Sequence, residues 1–283
     1  MLNHGTFEGV DGTELWYGVS GEGPTLVLCD GFACDGFIWP YLMDHFHEEF
    51  RIVRWHYRGH GQSENPKDMT RIGIEDLCGD LERLLDHLEI DDATLIGHSM
   101  GVQVILTFAH LYAERVNAVV PICGTYKHPL DTFHNSDRAA QLLPMLDRAI
   151  AFAPDKIQAF WSTMTPSRIS VLASRFEINS RLARESDFVP YLDHVADMDV
   201  RVFIAMLKRL QAHSAEPFLN DISVPAFIIA GEFDSFTPAY RSEELADFLP
   251  DSELIVVPNG THIAPLELPD LVNASIEKFL RRI

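Results

Sequence analysis

Apolar positions follow two alternating rhythms along this chain. Short β-branched or apolar runs read as strands buried on both faces: Thr25 to Cys29 (TLVLC), Arg51 to Trp55 (RIVRW), Ala93 to Ile96 (ATLI), Val116 to Ile122 (VNAVVPI), Ala226 to Ala230 (AFIIA) and Glu253 to Val257 (ELIVV). Between the second and third, Ile74, Leu77, Leu81, Leu84, Leu85 and Leu88 recur at spacings of three and four. That period predicts a helix with one buried face, leaving Asp76, Asp80, Glu82 and Asp86 for solvent. Asp270 to Arg282 predicts a closing helix through Leu271, Val272, Ile276, Phe279 and Leu280. At the start, two short strands are expected around Asp11-Gly12, a hairpin-type dipeptide, with a break at Gly21-Glu22-Gly23-Pro24. Strands alternating with helices predict an α/β fold with a parallel sheet.

The alternation stops between Thr125 and His213, where the pattern is helical and offers no convincing strand. Pro129, Pro144, Pro154, Pro166 and Pro190 divide this stretch, and each is expected at a helix boundary, because proline lacks the N–H that a helix interior uses. The expected organisation is a core in two parts, residues 1–124 and 214–283, with a helical cap inserted at 125–213. The chain returns to the core at Ile222-Ser223-Val224-Pro225.

Composition narrows the partners. With 22 Lys and Arg against 42 Asp and Glu, the formal net charge is −20, which repels nucleic acid and anionic membranes. A neutral or apolar small molecule is the expected partner. No apolar stretch reaches the roughly 20 residues of a membrane span, and Met1 to Gly12 lacks the features of a leader. Cys29, Cys34, Cys78 and Cys123 form no Cys-x-x-Cys pair, so reduced thiols and a cytoplasmic location are expected; oligomeric state is left open.

The candidate chemistry starts at Gly97-His98-Ser99-Met100-Gly101, a Gly-x-Ser-x-Gly placed after the strand ATLI and before the apolar helix beginning at Val102. In that context the glycines permit a tight strand-to-helix turn that lifts the serine hydroxyl at the sheet edge. Free N–H groups of the following helix would face an oxyanion formed there. Serine is a poor nucleophile at pH 7 and needs a base. Asp234 follows the strand AFIIA and His262 follows ELIVV, so the order Ser99, Asp234, His262 fits a nucleophile, an orienting carboxylate and an imidazole base. Among thirteen histidines, His45-x-His47 and His56-x-x-x-His60 could be spaced as metal pairs, but no third ligand accompanies them and no metal is expected. Cys34 reads as a small buried loop residue without a catalytic role. Phe152, Phe160, Trp161, Phe176, Phe188, Tyr191, Phe203 and Met206 are candidates for an apolar pocket, Trp161 and Phe188 foremost.

On these motifs the chain resembles the α/β-hydrolase fold superfamily, of the cap-bearing serine esterase and lactonase type. The resemblance also covers Gly31-Phe32 with Trp39, Arg58-Gly59-His60-Gly61-Gln62-Ser63, the acid turn Gly231 to Pro238, and His262 through Glu267 and Pro269. It implies a mostly parallel central sheet flanked by helices with an inserted cap, an oxyanion hole from the backbone N–H groups of Phe32 and Met100, and no cofactor. A serine at the elbow argues against the dehalogenase and epoxide hydrolase branches, whose nucleophile is aspartate. Two features depart from the family pattern, an exchanged pair and a missing glycine. Asp30-Gly31 stands where His-Gly is usual, and His56-Tyr57-Arg58-Gly59 where Asp-x-Arg-Gly is usual, as though the two residues had exchanged places; Val102 stands where many members carry a second glycine. The exchange predicts that Asp30 accepts a hydrogen bond from His56, directly or through one water, supporting the oxyanion loop and raising the His56 pKa unless burial opposes it.

The expected activity is therefore hydrolysis of a carboxylic ester of a small, largely apolar substrate through an acyl-enzyme. A lactonase, or a carbon–carbon bond hydrolase or perhydrolase, would use the same triad. A slow-turnover ligand-binding signalling protein of the same fold is the alternative from another class. Acyl length and physiological substrate are not encoded legibly.

Overall fold

The computed structural model describes residues 3–163, 179 and 181–283. Among these, eight strands form one sheet in the order β1-β2-β4-β3-β5-β6-β7-β8. The strands are β1 (Asn3–Glu8), β2 (Glu14–Ser20), β3 (Thr25–Cys29), β4 (Arg51–Trp55), β5 (Ala93–His98), β6 (Val116–Ile122), β7 (Ala226–Gly231) and β8 (Ser252–Val257). The hairpin β1–β2 and the pair β2–β4 are antiparallel; every pairing from β4 through β3 to β8 is parallel. All six parallel strands coincide with the apolar runs. β8 is the exception to burial on both faces: it ends the sheet, and Val256 is exposed.

Alternation along the inner strands sorts their side chains into two cores. Val27, Cys29, Val53 and Trp55 join the apolar faces of α2 (Ile74–His87) and α3 (Met100–Leu111). Leu26, Leu28 and Ile52 join α1 (Pro40–Phe46) on the other side, together with the C-terminal helix Pro269–Leu280. A sheet covered on both faces by helices leaves only its strand ends free to carry chemistry.

Helix α2 corrects one expectation. Asp80 is fully buried, not solvated, because it lies three residues after Leu77 and four before Leu84 and so shares their stripe. Arg58 meets it with Nε at 2.9 Å from Oδ2 and Nη2 at 2.5 Å from Oδ1, while Val10 N–H donates to Oδ1 at 2.8 Å. Asp11 adds a second carboxylate 3.2 Å from Arg58 Nη1, and Arg71 O accepts from the same nitrogen at 2.7 Å. The guanidinium thereby ties the loop after β4 to the N-terminal hairpin and α2.

Between β6 and β7 lie α4 (Arg138–Phe152), α5 (Pro154–Thr163), α6 (Glu185–Asp197) and α7 (Val200–Ala212). The two ends of this stretch meet at a bridge between Lys127 and Ser214. Pro129 and Pro154 open helices as expected, but Pro144 lies inside α4 and Pro190 inside α6. These two helices continue through the proline despite the backbone donor it lacks. Pro166 lies outside the described residues. Beyond β7 the chain forms α8 (Ala239–Phe248), α9 (Ala264–Glu267) and α10 (Pro269–Leu280).

Removing one side of the buried ion pair leaves a charge without its partner. Asp80→Ala is expected to destabilise the fold by about 3–5 kcal/mol, measured by urea unfolding, whereas the joint replacement Arg58→Met with Asp80→Leu should recover most of the loss.

Candidate active site

The candidate triad and the loop carrying Phe32 stand past the C-terminal ends of parallel strands: Asp30 to Cys34 after β3, Ser99 after β5, Asp234 after β7 and His262 after β8. Ser99 occupies the turn between β5 and α3 with φ +54° and ψ −114°, a conformation an ordinary residue avoids. Its N–H is held by Ile122 O at 3.0 Å. The turn requires Gly101, because a Cβ there would lie 2.2 Å from the carbonyl oxygen of Cys29. Val102 is accommodated fully buried, in space left by Gly124, whose own Cβ would fall 2.3 Å from Val102 Cγ2.

Asp234 and His262 meet directly, with Oδ2 2.9 Å from Nδ1. The carboxylate is fixed before the imidazole arrives: Oδ1 accepts from Phe236 N–H and Thr237 N–H at 2.9 and 2.8 Å, and the Thr237 hydroxyl donates to Oδ2 at 2.8 Å. With Nδ1–H committed to a carboxylate, Nε2 is the ring's free base. No hydrogen bond joins the Ser99 hydroxyl to His262 among the described residues.

The loop bearing His262 is anchored by Glu267, a group outside the sequence-derived triad. Its Oε2 accepts from Thr261 N–H at 2.7 Å, and Oε1 accepts from the Thr261 hydroxyl and Asn179 N–H, both at 2.8 Å. Burial pushes this carboxyl above its ordinary pKa. On the opposite side, buried His98 donates from Nε2 to the carbonyl of His262 at 2.8 Å. Burial, with His262 nearby, holds His98 neutral, its pKa down to about 3.

Neither Phe32 N–H nor Met100 N–H has a hydrogen-bond partner among the described residues. Met100 begins α3, so its donor projects from the helix N-terminus. The expected brace between Asp30 and His56 is not formed. Asp30 Oδ1 instead accepts from Trp39 Nε1 at 2.5 Å, and the backbone oxygen of Asp30 accepts from Tyr57 at 2.9 Å. His56 Nδ1 accepts from Gln62 N–H at 3.0 Å, Nε2 donates to Asp35 O at 3.2 Å, and the ring stacks on Trp16 at 4.2 Å. Both residues lie just past their strand ends, where the Asp30 carboxylate is taken by Trp39 and both His56 nitrogens by the backbone of Gln62 and Asp35. Burial is the opposing effect that outweighs any rise from a nearby carboxylate: with Arg54 it lowers His56 to about 3, while burial raises Asp30 to about 7 against the pull of Arg54.

The candidate pocket residues divide. Phe152 and Phe160 are exposed, contrary to expectation, and Met206 is buried in the main core. Trp161 packs on Phe203, whose ring lies 4.6 Å from that of Phe32, and Phe188 packs with Tyr191 against Phe37. Both groups therefore touch the loop after β3. Phe176 lies outside the described residues. Burial keeps the Cys34 thiol well above its usual pKa, so it is protonated and donates to Phe32 O at 3.4 Å. The histidine pairs serve other bonds: His45 meets Glu277 and His47 meets Asp44 O. Among the described residues no group of three or more His, Cys, Asp or Glu side chains could hold a metal, and no helix is long and apolar enough to cross a membrane.

A sequence model described as the alpha/beta hydrolase fold matches residues 24–269. The 3-oxoadipate enol-lactonase 2 of Acinetobacter baylyi is 26% identical over 259 residues, covering 92% of this chain and 89% of that protein. Among solved structures, the enol-lactonase from Burkholderia xenovorans LB400 superposes with a TM-score of 0.78 at 23% identity, over 98% of this chain and 100% of the other. A thermophilic esterase from Thermogutta terrifontis gives 0.78 at 21%, over 99% and 98%. At these identities the structural likeness establishes fold.

Glu267→Ala would strand three donors, two on Thr261 beside His262 and one on Asn179. The expected cost is about 2–3 kcal/mol in urea unfolding, with Glu267→Gln losing less because its amide oxygen still accepts.

Proposed function

The chain belongs to the α/β-hydrolase fold family, and on that premise we propose that it is a serine hydrolase cleaving a carboxylic ester of a small, largely apolar compound. The observation that carries this reading is the 2.9 Å bond from His262 Nδ1 to Asp234, together with a serine held in a strained elbow at the end of β5. Ser99 attacks the carbonyl carbon and its proton passes to His262 Nε2. The oxygen that becomes negative is received by the N–H groups of Phe32 and Met100. Collapse expels the alcohol, which takes the proton from His262, leaving an acyl group on Ser99. Water then repeats the sequence with His262 as base, and the acid departs. Asp234 stays ionised throughout and stabilises the imidazolium.

The aromatic groups around Phe32 and Phe37 favour an uncharged, apolar substrate. A lactone is cleaved by the same steps with the alcohol retained on the acyl chain, and the naming of a 26% identical relative as an enol-lactonase supports including lactones in the search. On this reading residues 125–213 form a cap over the site, and Trp161 and Phe188 set substrate size.

A panel of p-nitrophenyl esters and simple lactones tests the chemistry. Ser99→Ala and His262→Ala should each lower kcat/KM by about 10⁴-fold or more, Asp234→Asn by about 10⁴-fold, and a fluorophosphonate should label Ser99 alone. Near-full turnover by Ser99→Ala would refute the mechanism, and tight ligand binding with negligible turnover by the native protein would favour a receptor. For the cap, Trp161→Ala or Phe188→Ala should change the ratio of kcat/KM between short and long acyl chains by roughly tenfold. An equal loss at every length would remove both residues from the pocket.

A further inference from the structure

His60 is fully buried, and neither the triad nor the expected Asp30–His56 brace includes it. Its Nε2 lies 3.1 Å from the backbone nitrogen of Ala33, and its Nδ1 lies 3.1 Å from the carbonyl oxygen of Arg58. An amide N–H can only donate and a carbonyl oxygen can only accept. The ring is therefore neutral with its hydrogen on Nδ1, and this is the one tautomer that satisfies both neighbours.

The bond to Ala33 acts on the loop that presents Phe32. Ala33 stands at φ +57°, which turns its N–H back into the protein, where His60 receives it. The carbonyl of the same peptide, Phe32 O, accepts from Cys34 Sγ at 3.4 Å, and Cys34 N–H returns to Gly31 O at 3.3 Å. The peptide plane after Phe32 is thus held at both ends, while Phe32 N–H itself is left without a partner among the described residues. The loop carrying His60 is in turn fixed from below by the buried Arg58–Asp80 pair, and from the cap side by Val202, which lies where a Gly59 Cβ would be.

We propose that His60 is a positioning residue for the oxyanion hole: by accepting the Ala33 N–H it fixes the loop that aims Phe32 N–H at the reacting carbonyl. This role takes the place of the brace expected from Asp30 and His56, and its catalytic consequence rests on the serine hydrolase reading. Burial, with His194 of α6 nearby, holds the imidazole neutral, down to about 3, so the acceptor is present at working pH.

Long-range ¹H–¹⁵N correlation spectra of the native protein should show His60 as the Nδ1–H tautomer; an Nε2–H tautomer or a charged ring would overturn the proposal. In kinetics, His60→Phe keeps an aromatic ring without the acceptor, and His60→Gln restores an acceptor near the Nε2 position. His60→Phe is expected to lower kcat by roughly tenfold to a hundredfold with little change in KM, within reach of the loss seen when an oxyanion donor is removed. Its affinity for a trifluoromethyl ketone, whose adduct carries the oxyanion, should weaken by a similar factor, and His60→Gln should recover most of both. Unchanged kcat and ketone affinity in a folded His60→Phe would overturn the proposal, as would a fall in melting temperature with no kcat effect. If His60→Phe does not fold, the native tautomer and the kcat of His60→Gln decide. Turnover by Ser99→Ala would instead sink the serine mechanism, leaving the tautomer measurement to judge the His60–Ala33 bond by itself.

Discussion

The approach of the Gly101 backbone to the carbonyl of Cys29 is the contact on which the site depends. It lets α3 start directly against the end of β3, and this forces Ser99 into a conformation that costs an ordinary residue of order 1–3 kcal/mol. That strain is sustained because β5 lies between β3 and β6 in register, with Ser99 N–H bonded to Ile122 O. The same packing brings the loop after β3 beside the elbow, so Ser99 and the loop carrying Phe32 are positioned by one contact.

Around this point the protein solves a satisfaction problem with neutral histidines. His56, His60 and His213 are all buried and all depressed in pKa, chiefly by desolvation. A neutral imidazole carries one donor and one acceptor, so it can join an N–H to a C=O across a gap that no backbone pairing spans. His60 does this between Ala33 and Arg58, and His56 between Gln62 and Asp35. His213 joins Gln103 and Thr107 of α3 to the exit of the helical insertion. His262 differs in being only partly enclosed and in having a carboxylate on Nδ1, which leaves Nε2 available.

Reading the chain from its pattern located the parallel strands and the elbow, because both depend on local rules: two-sided burial demands an unbroken apolar run, and a tight strand-to-helix turn demands glycine. The same reading misplaced Asp80, whose helical position was legible but whose counter-charge, Arg58, lies 22 residues away in sequence. It misjudged Pro144 and Pro190, where helices continue through a residue that local preference would put at an end. The pairing of Asp30 with His56 failed for a related reason. Past the last strand residue the sheet register no longer dictates neighbours, and Trp39 and Gln62 were nearer partners.

The positions of the parallel strands along the chain, the elbow and the candidates Ser99, Asp234 and His262 were thus encoded in local sequence, since each needs only a run of apolar residues followed by a particular turn, whereas the order of those strands in the sheet was not. Which of thirteen histidines braces which loop was decided by the tertiary structure alone. Hydrogen-bond partners of buried polar groups are set by desolvation: each group must find whatever donor or acceptor the packed chain brings within about 3 Å. His60 and Glu267 hold the loops of the candidate site through such bonds, and their partners became neighbours only on folding.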